Sequence, residues 1–353
     1  NGDLQITAAT LGNAGGTVQQ AGTGTLAINA HTLNGPGGKL LSNGSLALTG
    51  ENTDLRDGTT AAQRIQIETG ELVTAGGTLT ATGTDVLALD VRGRLDNTAG
   101  TLASNGTLDL RAAQLLNNQG TVQAAGAGSN QLALGGALEN RSGRILTTGN
   151  ATVTAASVDN RGGTLHSDGS STLTVTVDGL LDNSAQGTVS SGGNASITTH
   201  SLNNEAGTLA AGAALQLDTA TQVRNTAGLI QAGTDLRVTS NGIDNHSGRI
   251  IAGTVDLDTR GYTLDNRAGT VASLTGGATL RTGQLDNSGG LLQSAGNLRI
   301  DTAGQALINT NANGNGINSS GTLEIHSGAF DNRGGSVFGQ GAITVNASTV
   351  DNT

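Results

Sequence analysis

Aspartate recurs in this 353-residue chain at one fixed place, immediately before an asparagine, at Asp96, Asp159, Asp182, Asp244, Asp265, Asp286, Asp331 and Asp351. Carboxylates gathered into a column could hold divalent cations, which take several hard oxygen ligands. The competing reading is a solvated acidic stripe. Two unit charges about 4.8 Å apart repel by only about 0.9 kcal/mol in water. Arg141, Arg161, Arg267 and Arg333 stand two places further on, where they would offset that repulsion. The glycine-rich nonapeptide that binds calcium in some solenoids is missing, so the stripe is preferred and no metal ligand is assigned. A second pair, Asp256 and Asp258, projects to one side of a Val-Asp-Leu-Asp segment, and paired carboxylates are what glycoside hydrolysis uses. Only Tyr262, Phe330 and Phe338 are aromatic, which leaves little to stack against a sugar ring. The five histidines, His31, His166, His200, His246 and His326, lack ligand spacing. No elbow motif sets a serine beside a base, and the absence of cysteine excludes thiolate sites. The chain is therefore read as non-enzymatic, with no catalytic residue and no cofactor.

What positions these residues is a repeat. The asparagine returns at Asn97, Asn118, Asn140, Asn160, Asn183, Asn204, Asn225, Asn245, Asn266 and Asn287, at steps of 20 to 23 residues. Asn13 and Asn34 keep the phase upstream, as do Asn332 and Asn352 downstream. A period in this range marks a repeat architecture. Between the asparagines the internal period is two, as in Leu108-Asp109-Leu110, Leu215-Gln216-Leu217 and Ile343-Thr344-Val345, which is the pattern of half-buried strands. Each unit holds three such segments, for example Thr121 to Gln123, Gln131 to Leu134 and Ala137 to Asn140, parted by Gly, Asn and Ser clusters suited to turns. The expected fold is all-β: a right-handed parallel β-helix of about sixteen rungs of roughly 21 residues, rising about 4.8 Å per rung. Leu180 and Leu215 are expected to point inward. At a bend, a buried Asn amide can donate and accept along the stack, so the asparagines are read as a structural ladder.

Composition narrows the partners. A net charge of −10, with few and scattered Lys and Arg, argues against nucleic acid, whose phosphates call for a basic stripe. No run of apolar residues is long enough to span a membrane as a helix. Two stretches depart from the pattern. Residues 56 to 80 lack a proper motif, and Thr59 to Glu68 are expected to form a loop or a widened rung. Residues 309 to 318 crowd it with extra Asn and Gly, offering Asn309 and Asn318 as rival motif asparagines. The chain starts at Asn1 and stops inside a motif at Thr353, so it is expected to be one continuous shaft segment of a longer protein, uncapped at both ends.

The units Leu264-Asp265-Asn266-Arg267-Ala268-Gly269-Thr270-Val271 and Leu285-Asp286-Asn287-Ser288-Gly289-Gly290-Leu291-Leu292 resemble the repeats of filamentous haemagglutinin and of related contact-dependent growth inhibition effectors. The resemblance runs over nearly the full length. It implies a large exoprotein of Gram-negative bacteria, exported unfolded through an outer-membrane pore of the two-partner secretion type and folding at the cell surface. A cysteine-free chain suits that route, since no periplasmic disulfide can form to obstruct the pore. In that family, adhesion or toxin delivery lies outside the common shaft. The function expected from the resemblance is that of a structural shaft holding binding or toxin modules away from the producing cell. The alternatives are a directly adhesive segment that binds a cell-surface receptor or glycan and, more remotely, a polysaccharide-degrading β-helix.

Overall fold

The computed structural model describes residues 2–311 and 314–353, and the strands within them are parallel. The protein is an all-β parallel solenoid without a helix among the described residues. It divides into two compact units, Asn1–Asp178 and Gly179–Thr353.

In the first unit each turn contributes one four-residue strand to a short-strand sheet. These run from Thr17–Gln20, Lys39–Ser42, Thr59–Ala62 and Thr78–Ala81 to Thr101–Ser104, Thr121–Ala124, Arg144–Thr147 and Thr164–Ser167. The rest of the turn enters a second, long-strand sheet, either as two strands such as Asn130–Leu134 and Ala137–Glu139 or as one run such as Leu87–Asp96. The three expected segments around Thr121 to Asn140 thus appear as strands, and elsewhere the second and third fuse around a corner. Register follows the aliphatic columns: Leu87 pairs with Leu108, Leu89 with Leu110, and Leu95 with Leu115. Alternation then sends Leu87, Leu89 and Leu95 inward, fully buried, and Asp90, Arg92 and Arg94 outward. Burial is thus repeated turn by turn, each apolar side chain losing water to the equivalent residue above and below.

The second unit repeats the plan, with short strands at Thr188–Ser191, Thr208–Ala211, Leu229–Ala232, Arg249–Ala252, Thr270–Ser273, Leu291–Ser294, Gly316–Ser319 and Val337–Gly339. Leu215, Leu236 and Val255 stack at one inward position, as do Leu217, Val238 and Leu257.

Three expectations change. Residues 59 to 69 form no loop. Thr59–Ala62 and Arg64–Thr69 are strands in register with both neighbouring turns, because alternation in Arg-Ile-Gln-Ile-Glu is enough to bury Ile65 and Ile67 without the motif. Leu180 is 43% exposed while Leu181 is fully buried, so of that leucine pair the second points inward. Near 309–318, the short strand starts seven residues after Asn309, at Gly316, whereas in the preceding turn it starts four residues after Asn287. The added residues enter that turn, and the part of this stretch at residues 312 and 313 lies outside the described residues.

Candidate functional site

The feature that every turn repeats is the bend from the long-strand sheet into the short-strand sheet. In the first unit Asn97, Asn117, Asn140 and Asn160 occupy it, fully buried. Asn97 donates from Nδ2 to Oδ1 of Asn117 at 2.8 Å, Asn117 to Asn140 at 2.7 Å, and Asn140 to Asn160 at 2.7 Å. The second amide hydrogen of Asn97 is shared between the carbonyls of Gly100 and Thr121. Each amide thus accepts from one side and donates to the other, which removes the cost of burying it.

Asn118 is not in this column. It is half-buried, donates to Glu139 and accepts the backbone N–H of Arg141, while its neighbour Asn117 fills the bend. Asn34 is likewise exposed, and Gly35 takes the turn position. Upstream the column runs Asn13, Gly35, Leu55, Thr74, the last donating its hydroxyl to Asn97 Oδ1 at 2.9 Å. The second unit has its own run, through Asn183, Asn204, Asn225, Asn245, Asn266, Asn287, Asn309 and Asn332, with amide-to-amide distances of 2.7 to 2.8 Å. Asn332 in turn donates to Asn352. Of the two rivals near 309–318, Asn309 holds the bend and Asn318 sits in a short strand.

The turn after each asparagine explains the glycine. Gly228 N–H closes onto the carbonyl of Asn225, and the intervening Ala227 adopts φ of 53° while donating its own N–H to His246 O of the next turn. Ala99, Gln119, Ser142, Ala206, Ser247 and Ala268 share that left-handed conformation, which costs a non-glycine residue of order 1 kcal/mol. Hydrogen bonds between turns hold it in place.

The aspartates serve the same bend. Asp265 accepts the N–H of Arg267 at 3.0 Å and Asp244 that of His246 at 3.1 Å, the local turn in which a carboxylate satisfies a backbone donor two residues on. Arginine then pairs with it: Arg267 with Asp265, Arg161 and Arg141 with Asp159, and Arg333 with Asp331. Burial pushes the Asp159 and Asp265 carboxyls up, but hydrogen bonds from Arg161 and Arg141 in one case and Arg267 in the other outweigh it and hold both below the usual aspartate range. These are turn-capping, arginine-paired carboxylates. Asp256 and Asp258 are bridged by Arg281, at 2.5 and 3.4 Å. Burial lowers the Arg281 pKa, yet the two aspartates raise it overall, and the arginine occupies the space between the two carboxylates. No group of three His, Asp or Glu side chains suited to a metal ion occurs among the described residues.

One column escaped the sequence reading. Thr199, Thr219, Ser240, Thr259, Thr282 and Thr302 are buried at another corner of the second unit, where each hydroxyl donates to a nearby carbonyl, as Thr219 does to Thr221 O at 2.7 Å and Ser240 to Gly242 O at 2.9 Å. Its signal was a Ser or Thr returning at the repeat period. The first unit also carries an open groove of about 730 Å³ beside Gly35 and Leu55, lined by residues that include Asn34, Asn52, Arg56, Glu71 and Arg94.

The repeat can now be compared with known proteins. The haemagglutinin repeat model matches residues 1–27, 21–99, 86–142, 124–185, 169–227, 220–261, 250–310 and 308–353, from end to end. The chain belongs to the haemagglutinin repeat family. Within it, a 113-residue stretch, 32% of this chain, is 36% identical to Toxin CdiA of Escherichia coli. That stretch spans 3% of the relative's length. No solved structure matches. For a haemagglutinin repeat, the buried asparagine should be the most expensive polar side chain to remove. Asn225→Ala strands the Asn204 Nδ2 donor and the Asn245 Oδ1 acceptor together, and should cost on the order of 1 to 3 kcal/mol. Asn118→Ala, outside the column, should cost less than about 1 kcal/mol. Urea unfolding monitored by circular dichroism compares the two, and equal losses would deny the column its stabilising role.

Proposed function

We propose that this segment is the structural shaft of a secreted, cell-surface filamentous exoprotein, an adhesin or toxin-presenting effector, which holds its binding or toxin modules away from the producing bacterium. One observation carries the reading: what recurs from turn to turn is spent on stacking. The asparagine is satisfied by the turns on either side, the aspartate caps its own bend, and the glycine admits the neighbouring backbone. A ligand site would vary from turn to turn, since insertions and loops are where solenoids place binding. Each turn adds about 4.8 Å of reach. The relative's name, a toxin, supports a parent that carries an effector, and the family resemblance supports export through an outer-membrane secretion pore. The cysteine-free sequence is compatible with unfolded passage. The role needs no reaction and no cofactor.

The groove beside Gly35 favours one second reading, direct adhesion to a cell-surface receptor or glycan through Asn34, Asn52, Arg56 and Arg94. Binding of the purified protein, folded by circular dichroism, to bacterial cells, epithelial cells and a glycan array separates the two. Absence of binding supports the shaft. Saturable binding that is lost in Arg56→Ala/Arg94→Ala overturns a purely structural role and establishes the adhesive one.

A further inference from the structure

Asparagine followed by glycine is chemically labile, because without a Cβ the glycine nitrogen can close on the preceding side-chain amide. Among the described residues the pair occurs at Asn34-Gly35, Asn43-Gly44, Asn105-Gly106, Asn241-Gly242 and Asn315-Gly316, and all five glycines are buried. Four of them have their N–H occupied. Gly35 donates to Asp54 O at 3.0 Å and Gly316 to Gly290 O at 2.9 Å, while Gly44 donates to the Ser42 hydroxyl at 3.1 Å and Gly106 to the Ser104 hydroxyl at 3.0 Å. The Gly242 N–H has no acceptor among the described residues, although buried backbone donors are nearly always paired. The side chain beside it differs too. Asn43, Asn105 and Asn315 each commit Nδ2 to a carbonyl, at 2.8 to 3.1 Å, whereas Asn241 accepts at Oδ1 from Arg260 Nη1 at 3.3 Å. Arg260 is itself fixed by Thr219 O and Asp218, each at 2.8 Å.

We propose that Asn241-Gly242 is a site of spontaneous succinimide formation in the folded protein, assisted by Arg260. The Gly242 nitrogen attacks Asn241 Cγ, and its proton passes to water. The Arg260 guanidinium stabilises the negative charge that gathers on Oδ1 as that carbon becomes tetrahedral. The bond from Cγ to the side-chain nitrogen then breaks, and the nitrogen takes a proton from water and leaves as ammonia, which closes a five-membered imide. No oxidant or cofactor enters. The imide nitrogen carries no hydrogen, so the step removes an unpaired buried donor together with its desolvation penalty. At the other four pairs the attack must first break a hydrogen bond. Water opens the ring at either carbonyl. One product is aspartate, whose carboxylate joins Asp218 beside Arg260. The other is isoaspartate, which routes the main chain through Cβ and lengthens it by one methylene. That lengthening falls next to Gly242 O, which accepts the Val223 N–H at 3.0 Å and the Ser240 hydroxyl at 2.9 Å.

The test is to hold the folded protein at about 37 °C and about pH 8 for several weeks, withdraw samples, and map them by unfolding, tryptic digestion and mass spectrometry against an unincubated control. Cleavage after Arg237 and Arg249 releases the peptide Val238–Arg249. Asn241 within it should first lose ammonia and then gain one mass unit, while Asn245 of the buried column stays intact. Its rate should exceed those of Asn34, Asn43, Asn105 and Asn315 at least about tenfold, the order set by a hydrogen bond that need not be broken. In urea the five pairs should react at similar rates, since the local sequence alone then governs them. Arg260→Ala, shown to be folded by circular dichroism, should slow Asn241 several-fold and leave the other four unchanged. Similar rates at the five pairs in the folded protein would overturn the proposal. So would an Asn241 that stays intact while the unfolded protein reacts, or one whose rate is the same in Arg260→Ala.

Discussion

Leu215→Asp should unfold the turns around it, whereas Leu180→Asp should leave the protein close to its starting stability. Leu215 lies 1% exposed between Ala195 and Leu236 of the adjacent turns, with no cation at hand on the inner face. The new carboxylate must be protonated, stay unpaired, or drag its strand outward, and an uncompensated buried charge costs on the order of 3 to 5 kcal/mol. Because a solenoid turn is held mainly by its two neighbours, that loss concentrates locally. Hydrogen exchange should show lost protection in residues 195–240 before it spreads. Leu180, half in solvent, can place a carboxylate in water, and a change within about 0.5 kcal/mol is expected there. Comparable damage from both substitutions would mean that the inward and outward assignments along this strand are wrong.

That contrast also shows where the fold was legible and where it was not. The period of about 21 and the alternation within it identified parallel strands, the number of turns and the aliphatic columns. What they left open were single-residue choices at doublets. Leu180-Leu181 and Asn117-Asn118 each offer two residues of one type, and a one-residue slip in a strand turns every side chain to the other face. Taking Asn118 for the column and Leu180 for the core were both slips of that kind. Aligning the following glycine would have settled the first, because the column asparagine stands three residues before Gly120, as Asn97 does before Gly100. Residues 59 to 69 misled for another reason. The motif marks most bends, yet those at Leu55 and Thr74 close without it, and strands pair wherever alternation survives.

The candidate site was less legible than the fold. Aspartate beside asparagine was visible as a column, but its backbone partner was not, since the N–H that Asp265 accepts from Arg267 depends on turn geometry. The sequence therefore suggested a stripe or a cation site, and the structure shows a third use: each carboxylate caps the bend it belongs to. The hydroxyl column from Thr199 to Thr302 stayed hidden because threonine is frequent throughout the chain, and a recurring threonine stands out less than a recurring asparagine.

The bend yields the second large effect, and it falls on one of two adjacent residues. A Cβ built on Gly228 would lie 2.2 Å from the carbonyl oxygen of Asn204 and 2.6 Å from Asn225 Oδ1. Neither neighbour is free to move. The first is backbone in the preceding turn, and the second accepts the Asn204 amide at 2.7 Å. Gly228→Ala must therefore separate two turns or break the asparagine contact. We expect a loss of about 3 kcal/mol or more, the sum of overpacking and a lost buried hydrogen bond. At Ala227 the methyl group sits on a residue with φ of 53°, so Ala227→Gly relieves strain of about 1 kcal/mol while adding a similar unfolded-state entropy. The net change should lie within about 0.5 kcal/mol of zero. Urea denaturation of the two variants tests the pair. If Gly228→Ala were as stable as Ala227→Gly, the glycine would not be there to let the turns approach, and the asparagine column could not depend on that closeness.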